Sequence, residues 1–250
     1  AEMVRVLRRA SVLLLAAGLA AGCGAGTEGG DVELMTFEKV LALPRPAAGV
    51  RVAYGESPEQ WGELRLPPGP GPFPVVVVLH GGCWLAAYDA GYMAPLAGAL
   101  SAEGVATFNV EYRRIGDDGG GWPGTFEDVA AAIDALRALA EVHPVDLDRV
   151  LALGHSAGGH LALWLAARPQ LPAESGLGGG EAVPLCGVVA LAGIPDLAAY
   201  AADEGCGAAV APLLGGEPGS VPGRVALASP SELLPLGVPQ QLLVGARDPI

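Results

Sequence analysis

The sequence has 250 residues, enough for one domain with a sizeable core. Its 51% apolar content excludes a disordered or collagen-like chain, although 38 glycines and 22 prolines make up about a quarter of it. Fourteen basic residues against 27 acidic ones give a net charge of −13, and Lys39 is the single lysine. With no basic face to neutralise phosphates, nucleic-acid binding is excluded as a function class.

In chain order, residues 1–23 carry the pattern of an export signal: Arg5, Arg8 and Arg9, then the apolar run Ser11–Ala21, then small residues. The run is too short to span a membrane. It closes on Leu19-Ala20-Ala21-Gly22-Cys23, which resembles the lipobox of bacterial lipoproteins and implies acylation of Cys23; an ordinary cleaved signal is the competing reading. Either way the mature protein is expected to be exported, to the cell envelope or beyond. Residues 24–36, opening with GAGTEGGD, read as a flexible tether. Residues 37–250 are then expected to form one domain, since no repeat or further linker divides them.

Val50–Tyr54 and Trp61–Leu66 alternate apolar with polar residues, as half-buried antiparallel strands do. Pro74–Leu79 (PVVVVL) is continuously apolar, the mark of a strand covered on both faces. A helix over Tyr92–Glu103 and a strand over Val105–Tyr112 follow. A helix over Thr125–Glu141 is expected next, capped by Thr125 with Asp128 three residues on. Strand Arg149–Leu153, helix Ala157–Arg168, strand Gly187–Leu191 and strand Gln241–Val244 complete the series, while Gly176–Glu181 and Glu204–Pro222 read as surface loops. Strands alternating with helices after an antiparallel start predict an α/β fold with a mostly parallel central sheet and helices on both faces.

Two glycine-rich turns carry the chemistry. Gly154-His155-Ser156-Ala157-Gly158 lies between a predicted strand and a predicted helix, the setting in which a sharp turn lifts a serine hydroxyl to the strand's carboxyl end. Gly154 and Gly158 remove the side chains that would collide there. His80-Gly81-Gly82-Cys83-Trp84 follows the PVVVVL strand, and its glycines allow backbone N–H groups to approach a ligand closely. The candidate assignment is Ser156 as nucleophile, with the N–H groups of Gly82, Cys83 and Ala157 as an oxyanion hole.

These motifs, together with Glu111-Tyr112-Arg113-Arg114 and Gly121-Trp122-Pro123-Gly124-Thr125-Phe126-Glu127-Asp128, resemble the α/β-hydrolase fold family over about Val50–Ile250. The resemblance is strongest to an esterase group with a His-Gly-Gly-x-Trp loop, which includes feruloyl/acetyl xylan esterase-like proteins and kynurenine formamidases. It implies a Ser, acid, His triad in that chain order, with no metal and no organic cofactor. The expected reaction is cleavage of a small-molecule or polysaccharide-linked carboxylic ester through an acyl-enzyme. An amide hydrolase, or a binding protein that keeps the fold without the chemistry, are the alternatives. Membrane contact is expected only through a lipid on Cys23.

The acid carries over as Asp248, in Leu242-Leu243-Val244-Gly245-Ala246-Arg247-Asp248; Asp196 is the rival, although an Asp before an apolar helical start is more often a cap. Asp128 and Arg113 read as a structural ion pair. None of His80, His143, His155 and His160 suits the base, so the base is expected beyond Ile250. Ala1 and Glu2 ahead of Met3, and the stop at Ile250, suggest a fragment lacking the last strand and helix, nearly inactive and with an exposed apolar edge at its last strand. With Cys23 acylated, Cys186 and Cys206 are the expected disulfide and Cys83 the free thiol.

Overall fold

The computed structural model describes residues 36–178 and 182–246, so the predicted signal with Cys23, nearly all of the tether, and Asp248 lie outside the described residues. The chain divides into two compact units, 1–39 and 40–250. A short helix, α1 (Phe37–Leu41), marks the boundary, and everything below concerns the second unit. No helix of the described residues is long and apolar enough to cross a membrane.

Among the described residues, seven strands form one open sheet in the order β1-β2-β4-β3-β5-β6-β7. The first two, β1 (Val50–Ala53) and β2 (Trp61–Arg65), make an antiparallel hairpin, and β2 runs antiparallel to β4 (Ala106–Val110). From β4 onward every pairing is parallel, through β3 (Phe73–Leu79), β5 (Val145–His155), β6 (Gly187–Leu191) and β7 (Gln240–Leu243). The winding runs from β3 outward to β4 and then returns across β3 to β5. Beside β3 and β5, at their carboxyl ends, lies the crevice where open α/β sheets place ligands.

The β-branched run of β3 explains its central position. Val75, Val77 and Leu79 face one core with Phe126 and Trp164, while Val76 and Val78 face the other with Tyr92, Met93 and Ala97. The second core is closed by α2 (Ala94–Ala102). Strand β5 begins four residues earlier than its apolar pattern indicates. Val145 and Asp146 pair with Phe73 and Pro74, and the register then shifts so that Val150 meets Val75. The bulge hides this start, because Asp146 and Asp148 interrupt the apolar run.

Three other expectations are corrected. The predicted Thr125–Glu141 helix is two helices, α3 (Gly124–Asp134) and α4 (Leu136–Val142), joined at Ala135. Thr125 is not its cap. The helix starts at Gly124, and the Thr125 hydroxyl donates to Arg113 O at 2.5 Å while accepting from Gly121 N at 3.0 Å. The Glu204–Pro222 stretch is not a surface loop, because a 3-10 turn at Cys206–Ala209 leads into α7 (Val210–Leu214), whose Val210, Leu213 and Leu214 are buried in the main core. The helix before it, α6 (Leu197–Tyr200), is capped by Asp196, whose carboxylate accepts from Ala199 N at 3.0 Å. Asp196 is therefore a cap, as its sequence context indicates.

Candidate active site

Strand β5 passes into helix α5 (Ala157–Ala167) through Ser156, which has φ 54° and ψ −119°. That conformation is strained for a residue with a side chain and persists only where the surroundings over-determine it. Here they do. The Ser156 N–H donates to Leu191 O at the end of β6 at 2.8 Å, and the Ser156 carbonyl accepts from His160 N at 3.1 Å. A Cβ on Gly154 would stand 2.0 Å from Gly158 O, and one on Gly158 would stand 2.2 Å from Leu79 O. The glycines are required because β3, β5 and the start of α5 touch backbone to backbone.

The His80–Trp84 loop leaves β3 beside this turn, since Leu79 pairs with Gly154. A Cβ on Gly81 would lie 2.5 Å from His155 O and 3.0 Å from the Ser156 Cβ, so the loop and the serine turn abut. Gly82, Cys83 and Trp84 are all left-handed, with φ 102°, 54° and 56°. Among the described residues, the N–H groups of Gly82 and Cys83 donate to nothing. Two unpaired donors in the loop that abuts a buried serine, with the N-terminus of α5 directly after that serine, are groups of the kind that receive a developing oxyanion.

Buried polar contacts hold both turns in place. Glu111, at the end of β4, accepts from Ala90 N at 3.0 Å and from Tyr112 N at 3.0 Å, contacts His80 Nε2 at 2.9 Å, and pairs with Arg114 at 3.2 Å. His80 Nδ1 lies 2.8 Å from Gly81 O, and its ring stacks on Tyr112 at 4.3 Å, so His80 shapes the loop. The Tyr92 hydroxyl accepts from Gly81 N and lies 3.1 Å from His155 Nδ1, joining the two turns; burial pushes its pKa well up and keeps it neutral. His160 is fully buried, with Nδ1 accepting from the Trp84 indole at 3.2 Å and Nε2 at 2.9 Å from Ala228 O. Sequence reasoning missed Tyr92 and Glu111 as supports. The signal for Glu111 was an acid at the end of a strand with no other charge; Tyr92 left none.

The fold thus sets the loop that carries Gly82 and Cys83 against the turn that carries Ser156 and Ala157, at the carboxyl ends of β3 and β5. His143 precedes β5 and lies at the opposite end of the sheet. The Arg113–Asp128 ion pair is present, with Nη2 to Oδ1 at 2.7 Å. The expected cysteine pairing is overturned: Cys83 is joined to Cys206, with Cα atoms 5.2 Å apart across 123 residues, and Cys186 is free. A cleft of about 550 Å3 opens at the carboxyl ends of β6 and β7, lined by residues including Ala192, Gly193, Ile194, Asp196, Tyr200 and Leu242. Among the described residues, no group of three His, Cys, Asp or Glu side chains is placed to hold a metal ion.

Comparison with known proteins agrees with this architecture. Esterase LipC of Mycobacterium tuberculosis is 31% identical over 131 residues, which cover 50% of this chain and 32% of LipC. The chain thus spans about a third of the length of that curated relative. A truncated carbohydrate esterase from gut microbiota superposes with a TM-score of 0.68 at 22% identity, over 82% of this chain and 79% of its own. Esterase B from Lactobacillus rhamnosis superposes at 0.66 and 23%, over 96% and 74%. The open, mostly parallel sheet is the α/β-hydrolase fold of these esterases. The BD-FAE family model matches residues 64–250, three-quarters of the sequence and both glycine-rich turns, and the chain belongs to the BD-FAE family.

Proposed function

We propose that the protein is a carboxylic ester hydrolase in which Ser156 is the nucleophile. One observation carries the reading: Ser156 sits in a strained left-handed turn at the switch point of the sheet, against a second left-handed turn with unpaired N–H groups. The Ser156 oxygen adds to the ester carbonyl, and the oxygen that gains negative charge is received by the N–H groups of Gly82, Cys83 and Ala157. Collapse expels the alcohol and leaves the acyl group on Ser156; water then adds in the same way and releases the acid.

The base must accept the Ser156 proton and return it to the alcohol. His80 and His160 have both ring nitrogens engaged, and His155 Nδ1 faces the Tyr92 hydroxyl. The reading therefore assigns the base to a histidine of the whole protein outside these 250 residues, oriented by Asp248. Carbohydrate esterases among the structural neighbours support a small-molecule or polysaccharide-linked ester as substrate. The leader pattern supports export with acylation of Cys23, which loss of palmitate-analogue labelling in Cys23→Ser would demonstrate.

The test is hydrolysis of p-nitrophenyl acetate by the whole protein. Ser156→Ala is expected to lower kcat by roughly four to six orders of magnitude, as for other nucleophile deletions, and to abolish labelling by a fluorophosphonate probe. A Ser156→Ala enzyme that keeps its activity, or a wild-type protein that the probe does not label, would refute the assignment.

A further inference from the structure

We propose that the Cys83–Cys206 disulfide is a positioning element of the hydrolysis site, and that its reduction lowers turnover without unfolding the chain. The inference rests on the reading of Cys83 as an oxyanion donor given above.

The argument begins with the loop's conformation. Gly82, Cys83 and Trp84 are three consecutive left-handed residues, and only the first is a glycine. Residues with a Cβ leave that region unless something holds them. Trp84 is held: its side chain is fully buried, its indole donates to His160, and its carbonyl accepts from Ile115 N at 2.8 Å. Gly82 is held through its carbonyl, which accepts from Leu85 N at 2.9 Å. Cys83, between them, takes part in no hydrogen bond among the described residues, and its covalent tie is the bond to Cys206.

The far end of that tie is rigid. Cys206 is buried at 7% exposure and opens the turn that leads into α7, whose apolar side chains lie in the main core. A Cβ on the next residue, Gly207, would stand 2.6 Å from Tyr200 O, so this turn is packed backbone against backbone. The disulfide thus anchors the loop residue that no hydrogen bond holds to a packed platform. Cys83 is half-buried and Cys206 buried, so of the two half-cystines Cys83 is the more exposed residue.

The redox step balances with an external dithiol. Its thiolate attacks the Cys83 sulfur and releases the Cys206 thiolate; the second thiol then closes the reductant's own disulfide and releases Cys83. Two electrons and two protons pass from the dithiol to the pair. Cys83 is then free to relax toward right-handed or extended backbone, which turns its N–H away from the oxyanion.

The experiment measures p-nitrophenyl acetate hydrolysis by the whole protein before and after dithiothreitol, with thiol titration confirming two new thiols and far-UV circular dichroism following the fold. The expected result is a fall in kcat of about tenfold to a hundredfold, short of the full loss of an oxyanion donor. KM should shift less than twofold, the dichroism should be unchanged, and reoxidation should restore kcat. Cys206→Ser and Cys206→Ala should show the reduced-state kcat with no response to dithiothreitol, while Cys186→Ser behaves as wild type. An unchanged kcat in the confirmed dithiol form overturns the proposal. So does a fall that tracks loss of the dichroism, because the disulfide would then serve the fold alone. Ser156→Ala run in parallel separates the two readings: loss of activity there, with no redox response in the wild type, refutes only the disulfide's role.

Discussion

His160 shows how a single residue couples packing to proton binding. The Trp84 indole can only donate, so Nδ1 must accept and the ring proton sits on Nε2, directed at Ala228 O. Protonating Nδ1 would set two donors against each other in a site closed to bulk solvent. Burial therefore lowers the pKa from 6.5 to about 4, with the Ala228 hydrogen bond opposing in part. The unfolded chain binds a proton near pH 6.5 and the folded chain only near 4, so stability is lost as pH falls through that window and no further below it. At 1.36 kcal/mol per unit, the loss is about 3 kcal/mol. Urea unfolding at pH 7 and pH 4 should show this extra loss in the wild type relative to His160→Gln, whose amide can accept from Trp84 and donate to Ala228. Parallel pH curves would refute it. The burial of His160 was legible from its place on an apolar helix behind Ser156, and so was the serine turn, because Gly-x-Ser-x-Gly records a steric requirement. The disulfide was not legible. Pairing depends on a distance in space, and Cys186, close to Cys206 in sequence, is far from it in partnership, whereas Cys83 is 123 residues away and 5.2 Å distant at Cα.

At the level of elements, one buried carboxylate joins three pieces of chain. Asp128 on α3 is fully buried and accepts from Arg113 N at 2.8 Å, from Arg113 Nε at 2.9 Å and Nη2 at 2.7 Å, and from Gln60 Nε2 at 2.6 Å. It thereby fixes the exit of β4 and the entry of β2 to the helix that follows them. These hydrogen bonds raise the Arg113 pKa further, so the guanidinium is always charged. Asp128→Ala leaves that cation and a backbone N–H without their acceptor, and should cost about 3 kcal/mol, the lower end for a broken buried pair because Arg113 keeps some solvent contact. Asp128→Leu combined with Arg113→Met should recover much of this in urea denaturation; equal losses in single and double variants would show that the pair is not the cause. The pair was legible as an acid and a base near the serine turn. What escaped was the helical segment 206–214. Gly205, Gly207, Gly215 and Gly216 give it the composition of a loop, and they mask Val210, Leu213 and Leu214, which recur at helical spacing and are buried. Local composition reports turns, whereas burial depends on what the rest of the chain brings alongside.

Across the whole molecule, the balance between charge and exposed apolar surface determines how the chain behaves in solution. The parallel sheet was legible because β3 and β6 are continuously apolar, but strand order depends on crossovers that no local pattern records. At one edge of that sheet, β7 pairs with β6 and, among the described residues, with nothing beyond. Leu242 and Val244 are 65% and 74% exposed there. An unpaired edge with apolar side chains is a template for strand addition by another copy. Opposing this is a net charge of −13, which makes any two copies repel. The repulsion acts over a Debye length of ~10 Å at 0.1 M salt and only ~3 Å at 1 M, while edge pairing acts at contact, ~4.8 Å between strands. Salt therefore weakens the opposing term and leaves the attractive one intact. The 250-residue chain expressed by itself is expected to be monomeric at low ionic strength and to associate as salt rises, read by light scattering at fixed protein concentration. Leu242→Lys should hold it monomeric at salt where the wild type associates, because a lysine at the edge burdens any incoming strand with a buried charge. Association that falls with salt, or that Leu242→Lys leaves untouched, would place the contact on a charged surface elsewhere.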